Sequence, residues 1–90
     1  MPLHSPIGPA PLLVLSTAYV TPFNRAPYYE IIAATDRDAH APRVFVRTED
    51  AALYAIAARV EGTDRRVLIT LDAPRDRSGW RELVDLAIES

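Results

Sequence analysis

The sequence has 90 residues, the length of one small domain with room for a single hydrophobic core. It contains no cysteine, which excludes a disulfide framework, a thiolate metal site and a thiol nucleophile. Ten arginines, no lysine and twelve acidic residues give a formal net charge of −2. This balance argues against a domain that holds nucleic acid by bulk electrostatic attraction alone.

The amino-terminal segment differs in composition from the rest of the chain. Residues 1–11 contain four prolines and no apolar period, which predicts a flexible, proline-rich tail. Residues 12–90 are predicted to form the single globular domain. The apolar run that opens this domain is too short for a secretory segment, and no stretch is long enough to cross a bilayer. We therefore expect a cytoplasmic protein that does not interact with membranes.

Three strand-like segments come next in the chain. Residues 12–21 are rich in β-branched and apolar types and end at Pro22. Residues 28–36 alternate, with Tyr29, Ile31 and Ala33 on one face and Tyr28, Glu30 and Ile32 on the other. Residues 43–48 also alternate, with Val44 and Val46 on one face and Arg43, Phe45 and Arg47 on the other. Short loops join these segments, which predicts an antiparallel meander.

The hydrophobic period then changes to that of a helix. Four apolar residues recur at the i, i+3, i+4, i+7 spacing: Leu53, Ile56, Ala57 and Val60. Thr48 is the predicted N-cap, and Gly62 is placed to end the helix. Residues 65–72 return to alternation and predict a fourth strand, which faces inward with Val67, Ile69 and Leu71.

The last segment, SGWRELVDLAIES, fits two structures. A helix would gather on one side Trp80, Leu83, Val84, Ala87 and Ile88. A strand would align Trp80, Val84, Leu86 and Ile88, and would leave Leu83 exposed. The periodicity favours the helix slightly, whereas the order of the preceding elements favours a fifth strand.

Three meandering strands, a helix and a strand pair follow one another in an OB-fold. The chain resembles small OB-fold nucleic-acid-binding domains in EIIAATDRDAHAPRVFV for strands two and three, LYAIAARVEG for the helix, RRVLITLD for strand four and GWRELVDLAI for strand five. The resemblance implies a mainly β fold, a five-stranded OB-like barrel with one helix between strands 3 and 4. The alternative is an α+β fold in which an antiparallel sheet carries two helices.

The same resemblance implies a binding surface, because OB domains bind ligands on the face of strands two and three. There a base can stack on a ring while guanidinium groups meet the phosphates. The residues implied to bind nucleic acid are Tyr28, Arg43, Phe45, Arg47, Arg75 and Arg77. In the alternative interpretation Phe45 fills a second apolar cluster and the neighbouring arginines only solvate the strand. Trp80 is interpreted as a core or hairpin anchor.

A catalytic or metal site is not expected. Asp36, Asp38 and His40 stand at alternate positions, as ligands of a cation would in an extended segment. Nothing in the sequence completes such a site, and these residue types also suit a turn before Pro42. The three glycines form no phosphate-binding loop, and neither Ser16 nor Thr17 has a histidine at a sequence position that suggests a general base. We expect no enzyme, no metal ion and no cofactor.

Two classes of function remain open. The first is a module that binds single-stranded DNA or RNA, which the fold resemblance favours. The second is a protein-interaction or assembly subunit that uses the same face or a sheet edge to pair with a protein partner or another copy. An accessory, inhibitory protein is a variant of the second class. The composition favours this second class slightly.

Overall fold

The computed structural model describes residues 7–75 and 79–89. Its elements are β1 (Ile7–Val20), β2 (Tyr28–Ala34), β3 (Arg43–Thr48), α1 (Ala51–Val60), β4 (Arg66–Arg75) and β5 (Arg81–Ile88). The strands close into a barrel in the order β1-β2-β3-β5-β4, with α1 between β3 and β4. The predicted five-stranded barrel is confirmed and is compatible with an OB-like fold, while the two-helix alternative is wrong for the described residues.

Alternation along the strands decides which side chains fill the barrel. The inward residues predicted for β2, β3 and β4 are buried in one cluster that includes Ile31, Ala33, Val46, Val67, Ile69 and Leu71. Helix α1 adds Ala57 and Val60 to this cluster, and Leu53 and Ile56 pack against it. The predicted apolar side of the helix is therefore confirmed. No helix in the described part of the chain has the length and hydropathy needed to cross a bilayer.

Helix α1 begins later than the sequence predicts. Its N-cap is Asp50, whose carboxylate accepts hydrogen bonds from two backbone N–H groups of the first turn at 2.9 and 3.3 Å. The predicted Thr48 cap is wrong, because Thr48 ends β3 and its hydroxyl accepts the N–H of Asp50 at 3.0 Å. Gly62 adopts a φ of +75° after the helix, as predicted, and its N–H donates to the carbonyl of Val14 on β1.

The carboxyl-terminal segment is strand β5, not a helix. The facing predicted for this strand is wrong at two residues. Leu83, which was predicted to be exposed, is buried, and Val84, which was predicted to align with Leu86, is 49% exposed. Leu83 and Asp85 pair with consecutive residues of β4, so Val84 is the extra residue of a β-bulge. The bulge resets the alternation and turns both Leu83 and Leu86 toward the core. Two inward residues three positions apart are also typical of a helix, which is why the sequence pattern fits both structures.

Strand β1 begins at Ile7, within the segment predicted as a tail. Ile7 and residues 10–13 have registered partners on β4, whereas the register of β1 with β2 begins at Leu13. Proline is tolerated in a strand that has no paired neighbour on one side, since on that side no carbonyl group requires a hydrogen bond from the N–H that proline lacks. The predicted boundary at residue 11 therefore falls inside a strand. The rest of the predicted tail, residues 1–6, lies outside the described residues.

Candidate nucleic-acid interface

The stripe predicted on the third strand lies on the outer surface of the barrel. The register pairs Arg47 with Glu30, and Phe45, two residues earlier on β3, shares that side. Tyr28 shares it with Glu30 at the beginning of β2. Phe45 is 39% exposed, whereas its neighbour Val46 is fully buried. We call this outer surface of β2 and β3, with the adjoining residues that contact it, the β2–β3 face.

Two guanidinium groups lie near the ring of Tyr28. The Cζ atom of Arg25 is 4.7 Å from the ring centroid, and that of Arg47 is 5.6 Å from it. Both distances are typical of a cation–π contact. Arg25 was not predicted, although its place in the loop between β1 and β2 is a signal, because that loop binds ligands in OB-folds. Two positive charges and one aromatic plane thus occupy the same part of the face.

A second aromatic ring joins Phe45 across the closure of the barrel. The parallel pairing of β3 with β5 sets Val46 opposite Arg81, which brings the preceding residues Phe45 and Trp80 together. Their ring centroids are 5.3 Å apart at an interplanar angle of 63°, an edge-to-face contact. Trp80 is half-buried. It lies outside the core cluster and extends the aromatic surface beyond the predicted residues, while its interpretation as a core or hairpin anchor stays a prediction.

The seam also carries an ion pair. Arg47 pairs in register with Glu82, and its Nε atom is 3.5 Å from Glu82 Oε1. The Arg47 side chain is 15% exposed and that of Glu82 is 57% exposed. Solvent therefore screens the carboxylate, and such a pair contributes at most about 1 kcal/mol to folding. Glu82 is an acidic group that the site prediction did not include.

Arg43 makes different contacts from those of Arg47. Its Nη1 atom donates to the carbonyl oxygens of Asp38 at 3.1 Å and of Ala41 at 2.7 Å. Both acceptors belong to the loop between β2 and β3, so the guanidinium group stabilises that loop. Nucleic-acid binding by Arg43 stays a prediction.

The segment with Asp36, Asp38 and His40 forms a hydrogen-bonded turn. The N–H of Asp38 donates to Asp36 Oδ1 at 2.6 Å, and the N–H of His40 donates to Asp38 Oδ1 at 2.8 Å. The carboxylates therefore satisfy backbone groups of their own loop, as aspartates in turns commonly do. The interpretation as a turn is confirmed. The described residues hold no group of three or more acidic or histidine side chains that could bind a metal ion.

The last two predicted site residues, Arg75 and Arg77, are predicted to lie in the loop after the fourth strand. Arg75 ends β4 and pairs with Arg81 at the beginning of β5. Arg77 lies outside the described residues. Arg81 donates from Nη1 to the carbonyl oxygen of Asp72 at 3.3 Å, which links the two strands. Binding by Arg75 and Arg77 stays a prediction.

Three tyrosines form a separate group that we call the tyrosine cluster: Tyr19, Tyr29 and Tyr54. The Tyr29 ring lies 5.0 Å from Tyr19 and stacks on Tyr54 of helix α1 at 4.1 Å. Tyr29 belongs to the inward alternation of β2, opposite to that of Tyr28. These rings pack where the helix meets the barrel. Among them Tyr19 is exposed, so it provides aromatic surface outside the β2–β3 face.

Comparison with protein-family models, with curated proteins and with solved structures found no match to this chain. Function is therefore inferred from the geometry of the β2–β3 face. That face combines three rings, two guanidinium groups at the Tyr28 ring and two carboxylates, of which one is exposed and one half-buried: Tyr28, Phe45, Trp80, Arg25, Arg47, Glu82 and Glu30. This set suits a ligand with flat apolar surfaces and intervening negative charges.

Proposed function

We propose that this protein is a small binding module, not an enzyme, and that it holds single-stranded nucleic acid on the β2–β3 face. The observation that carries the proposal is that the rings of Tyr28, Phe45 and Trp80 belong to one face, on which two arginines contact the Tyr28 ring. Bases of a single strand expose flat π surfaces, and each stacked base contributes about 1 to 3 kcal/mol. Arg25 and Arg47 lie at the Tyr28 ring, where they would meet a phosphate that flanks a base stacked there.

The charge of the protein is compatible with this ligand if stacking provides most of the affinity. A net charge of −2 gives little long-range attraction for a polyanion. Two arginine contacts would release few counterions, at a slope of about −0.7 per contact in log K against log salt. Binding should therefore be modest and only weakly dependent on salt. A duplex, whose bases are stacked inside, should bind more weakly than a single strand.

The test is a fluorescence anisotropy titration of a labelled single strand of about 15 to 20 nucleotides, longer than the site of one such domain. The wild-type protein should raise the anisotropy at low salt. Phe45→Ala should abolish the rise, because it removes the exposed ring and the edge contact to Trp80. Circular dichroism would check that the variant keeps its fold.

The matched control is Tyr19→Ala, which truncates an exposed ring of the tyrosine cluster. This variant should bind the oligonucleotide as the wild type does. Absence of any anisotropy change at about 50 µM protein, a concentration typical of weak non-specific binding, would end the proposal. If both variants lost oligonucleotide binding equally, the binding surface would not be the β2–β3 face.

A second candidate function is protein interaction, with a partner protein or another copy of the chain. Its support is exposed apolar surface, since Phe23 is 99% exposed in the loop after β1 and Val84 is 49% exposed on β5. Exposed apolar side chains of this size are common at protein interfaces. Self-association predicts a solution mass above 10.0 kDa that returns to the monomer value in Phe23→Ser. A monomer at every concentration would leave only a foreign partner.

A further inference from the structure

Glu82 is an exposed acidic residue whose Oε1 atom lies 3.5 Å from Nε of Arg47, an arginine of the β2–β3 face. A carboxylate there repels the phosphates of a bound strand, so it does not serve backbone affinity. Its position nonetheless places an acceptor beside the rings. The cross-strand pair Arg47–Glu82 lies two residues beyond the Phe45–Trp80 contact along the two parallel strands, with the pair Val46–Arg81 between them.

We propose that Glu82 binds the Watson–Crick edge of guanine, so that the site prefers single strands that contain guanine. This inference rests on the proposed function. A carboxylate accepts two hydrogen bonds from a pair of adjacent donors, as it does from a guanidinium group. Among the bases, guanine alone presents such a pair on that edge, in N1–H and the N2 amino group. The guanine edge can therefore take the place of the Arg47 guanidinium group, whose Nε atom lies 3.5 Å from Glu82 Oε1.

The other bases suit this carboxylate less well. Adenine and cytosine each place a ring acceptor beside a single amino donor, which would turn a lone pair toward the Glu82 oxygens. Thymine and uracil place N3–H between two carbonyl oxygens, which repel a carboxylate from both sides. A well-formed pair between a side chain and a base edge discriminates by about tenfold or more.

The geometry brings the base edge and the carboxylate within reach. Phe45 and Arg47 are two residues apart on one side of β3, which is about 7 Å along the strand. A base stacked on Phe45 spans a similar distance from its glycosidic bond toward the Arg47–Glu82 pair. Glu82 is 57% exposed, so its carboxylate can turn to the base without a change in the backbone. Arg47 keeps Glu30 as its cross-strand neighbour.

The experiment compares three labelled strands of about 18 nucleotides, long enough to cover one domain. One is all thymine, one has guanine at every third position, and one has inosine at the same positions. Inosine lacks the N2 amino group and keeps N1–H. The isolated guanines avoid four-stranded structures. The wild-type protein should bind the guanine strand about tenfold more tightly than the thymine strand, with the inosine strand in between.

Glu82→Gln should reduce the guanine preference to about twofold or less, since the amide offers one acceptor and one donor in place of two acceptors. It should keep or raise affinity for the thymine strand, because a negative charge is removed. The control Asp85→Asn removes an exposed charge from the same strand and should keep the guanine preference. Circular dichroism would confirm that both variants are folded.

The outcomes separate this inference from the function on which it rests. Absence of binding to all three strands would overturn the proposed function and this inference with it. Equal binding to all three would leave the proposed function standing and overturn the role of Glu82. A guanine preference that persists in Glu82→Gln, or that Asp85→Asn abolishes equally, would also overturn it.

Discussion

Arg43 and Arg47 are four residues apart on β3, and their surroundings give them different roles. Arg43 donates to two carbonyl oxygens of its own loop, whereas Arg47 lies between the Tyr28 ring and Glu82. The sequence predicts that both face outward, and it does so because strand alternation is a local property. It does not predict which of them meets a ring, since that depends on loops and on a strand far along the chain.

Arg47→Ala should weaken oligonucleotide binding and reduce its dependence on salt. If Arg47 meets one phosphate of a single strand, the slope of log K against log salt should become shallower by about 0.7. The measurement is a series of anisotropy titrations from low to moderate salt. An unchanged slope together with unchanged affinity would contradict a phosphate contact by Arg47.

Arg43→Ala should instead act on stability. It removes two hydrogen bonds to loop carbonyls, one of them partly buried, at a cost of about 1 kcal/mol of unfolding free energy. Urea denaturation would measure this loss, and the salt slope of binding should stay as in the wild type. A variant with wild-type stability and weaker binding would instead support the original prediction that Arg43 contacts the nucleic acid.

At the scale of elements, alternation predicts β2, β3 and the first part of β4, and the helical period predicts the apolar side of α1, because each of these stretches is regular. The failures fall where an element is irregular. In β5 the bulged residue Val84 moves the inward positions to a spacing of three, so the sequence alone could not separate strand from helix. In β1 the strand begins earlier than its prolines suggest, because only β4 pairs with that part.

Gly8 provides a test of the irregular part of β1. It has a φ of +110° at a shift in register, and a Cβ added there would lie 2.4 Å from the carbonyl oxygen of Ile69. Gly8→Ala should therefore lower the unfolding free energy by at least about 2 kcal/mol.

Gly62 is the matched control for this substitution. Its φ is +75°, and an added Cβ would meet no atom within 4 Å. Gly62→Ala should lower the unfolding free energy by only about 1 kcal/mol, because alanine meets no steric clash there and loses only the preference of glycine for a positive φ. Urea denaturation of both variants gives the comparison, and equal losses would contradict the close approach of β1 to β4 at Gly8.

At the scale of the whole molecule, closure of the barrel assembles the site. The parallel pairing of β3 with β5 brings Trp80 and Glu82 beside Phe45 and Arg47. The order of elements predicts that the barrel closes, through the resemblance to OB-folds, and so it predicts the face. It does not supply the register of that closing pair, which joins distant segments and has no local signature. Trp80 and Glu82 were missed as site residues for this reason.

The most direct test of the account is nuclear magnetic resonance of the labelled protein during titration with a single-stranded oligonucleotide. The amides of Tyr28, Phe45 and Arg47 and the indole N–H of Trp80 should shift together and saturate at one dissociation constant, while the amide of Tyr54 should stay in place. An unperturbed β2–β3 face, with no shifts or with shifts centred on the tyrosine cluster, would contradict the claim that this face binds nucleic acid.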